Sequence, residues 1–70
     1  MNENQTSHYT VTGMTCGHCV ASVTEEVQEI PGVSDVQVDL ASGSLRFTSE
    51  QPVPGADVRA AVEEAGYQLA

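Results

Sequence analysis

The sequence has no lysine and no tryptophan, one phenylalanine and only two cysteines. Ten acidic residues face two arginines, Arg46 and Arg59, for a net charge of −8. A surface of that sign repels nucleic acid and anionic lipid, which argues against both as partners. No apolar run approaches the roughly 18 residues of a membrane span. Residues 1–7 are polar and lack the basic start of a secretory leader. A cytoplasmic chain with no membrane insertion is the expectation. Thiols stay reduced there, so two cysteines read as a metal or redox pair rather than a staple. The shortage of aromatics leaves a core of Val, Leu and Ala. The length, 70 residues, allows one domain that buries about 60% of its unfolded surface. A deep catalytic pocket does not fit beside so small a core, so function sits on a surface loop.

The chemistry is concentrated in Gly13-Met14-Thr15-Cys16-Gly17-His18-Cys19, which holds both cysteines and one of the two histidines. An alternating run, His8 to Thr12, precedes it and reads as a strand. A helical run, Val20 to Ile30, follows, with Val20, Val23, Val27 and Ile30 as one apolar stripe. Pro31-Gly32 stops that helix. Val36, Val38 and Leu40 alternate with polar residues as a second strand. Ala41-Ser42-Gly43 is a tight turn in which Gly43 takes positive φ. Leu45 and Phe47 complete the hairpin. Pro52 and Pro54 precede a second helix with Val58, Ala61, Val62 and Ala65 inward. Gly66 ends it, and Tyr67 to Ala70 form a short last strand. Every strand has one wet face and each helix one apolar stripe, so both helices cover the same side of the sheet. The expected fold is α+β: a ferredoxin-like βαββαβ two-layer sandwich with an antiparallel sheet. Residues 1–7 are expected to be a fraying lead-in and residues 8–70 a single domain.

A Cys-x-x-Cys pair at a strand-to-helix junction lets two sulfurs converge where backbone N–H groups are unpaired. Cys19, at the helix start, is expected to have the lower thiol pKa. Cys16, on the loop, is expected to meet an incoming partner first. Structural zinc wants four ligands, and His8 and His18 are not spaced for such a site. Two soft thiolates suit Cu(I), and an open site permits hand-over to another thiol. Met14 is either a third sulfur ligand or a core anchor, with the anchor favoured. His18 is either a third ligand or an exposed first-turn residue. Tyr67 either shields the site, offering its hydroxyl to a sulfur, or closes the rim of the core. Glu63 and Glu64, near the same pole, are expected to raise the thiol pKa values and to face a basic docking surface. The favoured reading of the acidity is solubility or a salt-rich habitat, with the basic docking surface as the functional alternative.

Gly-Met-Thr-Cys-x-x-Cys, the Pro31-Gly32-Val33 turn, Ala41-Ser42-Gly43 and Glu64-Ala65-Gly66-Tyr67 together resemble the heavy-metal-associated domain family. The resemblance runs from about Tyr9 to Leu69. It implies the same fold, and Cu(I) held by Cys16 and Cys19 with Met14, Thr15, Gly17, His18 and Tyr67 around them. Zn(II), Cd(II) and Hg(II) are the other ions it allows. Two branches are similar: stand-alone bacterial copper chaperones and amino-terminal domains of copper-transporting P-type ATPases. A start methionine and an end just after the last strand favour the chaperone. Its implied partners are such an ATPase or a copper-responsive regulator. A monomer is expected without metal, and the thiols also allow a copper-bridged dimer. The absence of Lys departs from basic chaperones. Cys16-Gly17-His18-Cys19 also matches the tetrapeptide of protein disulfide isomerases, which would make Cys16 a nucleophile and Cys19 the resolving thiol. The missing Trp, the strand order and the short chain oppose an enzyme.

Overall fold

The computed structural model describes residues 5–70. Its elements are β1 (Gln5–Thr12), α1 (Gly17–Gln28), β2 (Val33–Asp39), β3 (Ser44–Ser49), α2 (Gly55–Glu64) and β4 (Gln68–Leu69). The strands form one antiparallel sheet in the order β2-β3-β1-β4. This is the expected ferredoxin-like βαββαβ sandwich. Val23 and Val27 of α1, Val58, Ala61 and Val62 of α2, and Val11, Leu45 and Phe47 of the sheet form one buried cluster. Each fully buried Val, Leu or Phe contributes on the order of 1.5–3 kcal/mol relative to exposure. Phe47 stacks on Tyr9 at 6.2 Å between ring centroids.

Several boundaries differ from expectation. β1 begins at Gln5 rather than His8, because β3 reaches Ser49 and offers backbone pairing to Gln5, Thr6 and Ser7. Backbone pairing needs no apolar alternation, so the pattern could not show it. The rest of the expected lead-in, residues 1–4, lies outside the described residues. On α1 the buried row is Cys19, Val23 and Val27. Val20 is only half-buried, since it lies one residue round the helix from that i, i+4, i+8 row. α1 ends at Gln28, ahead of Pro31, whose ring disfavours helical backbone at Ile30. Ile30 packs against the core from the turn instead.

β2 also begins early, at Val33, and carries a bulge between Ser34 and Gln37 with Asp35 at φ 53. The extra residue lets Val33 and Val36 both pack inward although they are three apart. Leu40, expected inward, lies in the turn and is exposed. That turn is tied by Asp39, whose carboxylate accepts bonds from the Ala41 N–H and the Ser42 hydroxyl. Gly43 has φ 75, and a Cβ there would sit 2.6 Å from the Val11 carbonyl oxygen. No other residue fits without moving the hairpin. β4 starts at Gln68, leaving Tyr67 outside the strand.

Candidate metal centre

Gly13, at φ 93, turns the chain out of β1, and Met14 packs half-buried against the core. The core-anchor reading of Met14 accounts for its position. Cys16 is extended, with φ −157 and ψ 174, and caps α1 through its backbone. Its carbonyl accepts the Cys19 and Val20 N–H groups at 3.0 and 3.4 Å. The cap makes no use of its side chain, so the Cys16 thiol is exposed and free. Cys19, in the first turn, is buried and also free. The two Sγ atoms are 3.6 Å apart.

The Thr15 N–H donates to Cys19 Sγ at 3.5 Å, and the Thr15 hydroxyl lies 3.9 Å from the same sulfur. Tyr67 arrives from the other end of the chain. The Gly66 N–H donates to the Glu63 carbonyl at 2.9 Å, and the Tyr67 N–H to the Val62 carbonyl at 3.1 Å. With Gly66 at φ 98, this is a Schellman closure of α2. It brings Tyr67 beside Cys19, where the phenol hydroxyl acts to lower the thiol pKa. The ring packs against the core as well. A Cβ on Gly13 would meet that ring at 3.5 Å.

These contacts hold the Cys19 thiol down to about 6, the Thr15 N–H contributing most and the Tyr67 hydroxyl next, against an opposing effect of burial. The direction is the one expected for Cys19, but the sequence pointed to the helix start and missed the Thr15 amide. The Tyr67 phenol is pushed up, first by its bond to Cys19, then by burial and by the nearby thiolates.

His18 is exposed, and its backbone carbonyl accepts the Ser22 hydroxyl at 3.1 Å. Among the described residues no three His, Cys, Asp or Glu side chains gather as an ion-holding group. Gly17 opens α1, and a Cβ there would meet nothing within 4 Å, so space alone does not demand glycine. Glu63 and Glu64 are exposed, and the lowered Cys19 thiol has other causes. Glu64 acts on the Glu26 carboxyl instead.

Two sulfurs 3.6 Å apart can both reach one ion at a metal–sulfur distance of about 2.3 Å. Residues 8–68 match the pattern of the heavy-metal-associated domain. The chain is 43% identical over 61 residues to copper-transporting ATPase 1 of Rhizobium meliloti, covering 84% of this chain and 7% of that protein. It is 39% identical over 59 residues to the COP-associated protein of Helicobacter felis, covering 84% and 89%. It is 36% identical to mercuric reductase of Acidithiobacillus ferrooxidans, covering 96% of this chain but 12% of that enzyme. Among solved structures, a CopZ metallochaperone superposes with TM-score 0.86 at 28% identity, covering 94% of this chain and all of that one. The apo N-terminal domain of ZntA gives TM-score 0.86 at 31% identity, covering 97% and 92%. Among the described residues no helix is long and apolar enough to cross a membrane.

Proposed function

Because the chain belongs to the heavy-metal-associated domain family, we propose that it is a copper chaperone. It holds Cu(I) between Cys16 and Cys19 and passes it to a copper-transporting P-type ATPase by thiol exchange. The observation that carries this reading is the pair itself: two free sulfurs 3.6 Å apart, one exposed and one buried. Support for the cargo comes from the COP-associated protein, nearly all of whose length the chain covers, and from the CopZ metallochaperone fold.

The two sulfurs have different tasks. Cys19 keeps hold of the ion, with the Thr15 N–H and the Tyr67 hydroxyl stabilising its thiolate. Cys16 is the sulfur that an incoming partner thiolate reaches first. Two thiolates and a monovalent ion leave one negative charge, which the Thr15 N–H and the start of α1 stabilise. Soft sulfur ligands in a pair select Cu(I). Zn(II) is the main competitor, given the likeness to the ZntA domain, followed by Cd(II) and Hg(II). The chain works as a carrier in the reducing cytoplasm, and no turnover is expected in an insulin-reduction assay.

A second reading is favoured by the 43% identity to copper-transporting ATPase 1: the same site serving as the amino-terminal metal domain of such a pump. A copper-responsive regulator is a further acceptor with the same requirements. The deciding experiment is anaerobic titration of reduced protein with Cu(I) and Zn(II), against a Cys16→Ser/Cys19→Ser double variant. Tight Cu(I) binding lost in the variant is the expected result. Equal binding by both proteins would place the ion elsewhere. Size-exclusion chromatography along the titration reads whether copper bridges two copies.

A further inference from the structure

The core lies on one face of the sheet. Leu45 and Phe47 are buried in it, so Arg46, between them on β3, stands on the opposite, open face. Its register partners are His8 on β1 and Gln37 on β2. These three side chains form one row across three strands. Together with Ser44, Val38 and Asp39 they line a pocket of about 310 Å³, at the lower end of the range for small-molecule sites. The neighbouring rows carry short hydroxyl side chains, with Thr48 facing Thr6 and Ser34, and Ser44 facing Thr10. Arg46 donates to Gln37 Oε1 at 3.3 Å, a bond that turns the guanidinium along the row and leaves its other N–H groups to a ligand. Asp39 is the one carboxylate lining the pocket among the described residues. Each of its oxygens already accepts a bond from the hairpin turn, one from the Ala41 N–H and one from the Ser42 hydroxyl.

We propose that this pocket on the open face of the sheet binds a small hydroxy-monocarboxylate, through Arg46 with His8, Gln37 and Ser44. The planar guanidinium fork matches a carboxylate, which it takes by two parallel hydrogen bonds. The imidazole of His8, the amide of Gln37 and the hydroxyl of Ser44 offer donors and acceptors to a hydroxyl on the ligand. Charge sets the ligand at one negative unit. The pocket holds a single arginine, Asp39 keeps its own charge beside it, and the chain as a whole stands at −8. A dianion meets that repulsion twice with one guanidinium to offset it. A metal cation is a poor occupant, because Arg46 repels it and only His8 and Asp39 among the lining residues are ordinary metal ligands. The site goes beyond the carrier reading and is independent of it. The helix that carries Cys19 packs on the other face of the sheet.

The test is a backbone NMR titration of the reduced, isotope-labelled full chain with sodium lactate, at constant ionic strength. Lactamide, inorganic phosphate and a polyglutamate peptide are the comparison probes. Saturable shifts at His8, Gln37, Asp39, Ser44 and Arg46 are expected with lactate, and weaker ones with phosphate. Lactamide, which keeps the hydroxyl and lacks the charge, should give none. Arg46→Gln should weaken lactate binding about tenfold, and Arg46→Lys, which keeps the charge but not the fork, about threefold. Arg59→Gln removes the same charge from α2 and should change binding about twofold or less, through the general field alone. If Arg46→Gln does not fold, the lysine variant carries the test, and lactate binding equal to wild type overturns the fork. Lactamide shifts equal to those of lactate, shifts scattered over the surface, or equal effects of the two glutamine variants would each overturn the site. Tighter binding of phosphate overturns the single-charge ligand. Binding of polyglutamate without lactate reassigns the pocket to a protein surface and overturns the proposal. The Cys16→Ser/Cys19→Ser variant should bind lactate as wild type does, so failure of the copper reading and failure of this one are read separately.

Discussion

Replacing Tyr67 with Phe isolates one hydroxyl from the site. The ring, which packs on the core, is retained, and only the donor to Cys19 is removed. In the metal-free protein Cys19 titrates at about 6, so at pH 7 about ten thiolates exist for each thiol. The Tyr67 bond is the second contributor after the Thr15 N–H. Its loss should move the Cys19 titration upward from about 6 and lower the thiolate fraction at pH 7. The Thr15 N–H remains, so the value should stay below the ordinary thiol range of about 8.5. Ultraviolet thiolate absorbance against pH, on a Cys16→Ser background so that one sulfur titrates, reads this directly. Stability follows with a defined sign. A thiol whose folded pKa is depressed stabilises the fold in full above its unfolded pKa, and that contribution is lost as pH falls through the folded value. The melting midpoint of the Cys16→Ser protein should therefore rise between about pH 6 and the ordinary thiol value of about 8.5, relative to the Cys16→Ser/Cys19→Ser protein. Identical titrations with and without the hydroxyl would refute the Tyr67 contribution. Absence of any inflection below the ordinary thiol range of about 8.5 would refute the account of Cys19.

Two glycine substitutions should differ in sign. Gly43→Ala forces a side chain into positive φ and toward the Val11 carbonyl, and threatens the Val11–Gly43 hydrogen bond. It should cost about 2–3 kcal/mol in urea denaturation. Gly17→Ala meets no neighbour and should be neutral or stabilising by about 0.4–1 kcal/mol. The Ser49 hydroxyl is buried without a partner among the described residues, so Ser49→Ala should match wild type or exceed it by about 1 kcal/mol in the same assay. Phe47→Ala, at a fully buried position, should cost about 3–5 kcal/mol. That is much of the roughly 4–10 kcal/mol a chain of this length commands, so far-ultraviolet circular dichroism should show substantial unfolding.

The order of elements was legible because alternation and helical stripes are local signals. Val11, Leu45, Phe47, Val58 and Val62 all fell on predicted inward positions and are buried. Boundaries that depend on a neighbouring strand were not legible. Gln5–Ser7 pair with β3 without any apolar signature, and the Asp35 bulge shifts the phase of β2. Leu40 read as a strand residue because its own alternation continued past the point where Asp39 turns the chain. At the site, the cysteine spacing and the returning helix were visible in the residues. The amide that most strongly lowers Cys19 was not, since a backbone N–H has no letter of its own.

By itself, the sequence determined that two thiols stand at a strand-to-helix junction on a lysine-free, acidic chain. Those properties depend on residue type and short-range spacing, which hold whatever the rest of the chain does. Tertiary structure decided what makes the sulfurs unequal: Cys16 is open to solvent, while Cys19 is buried and acted on by Thr15 and by a tyrosine from much later in the chain. It also decided that His8, Gln37 and Arg46, from three strands, line one pocket. Both outcomes require distant segments to meet, and only the assembly of the sheet and the packing of α1 and α2 onto it bring them together.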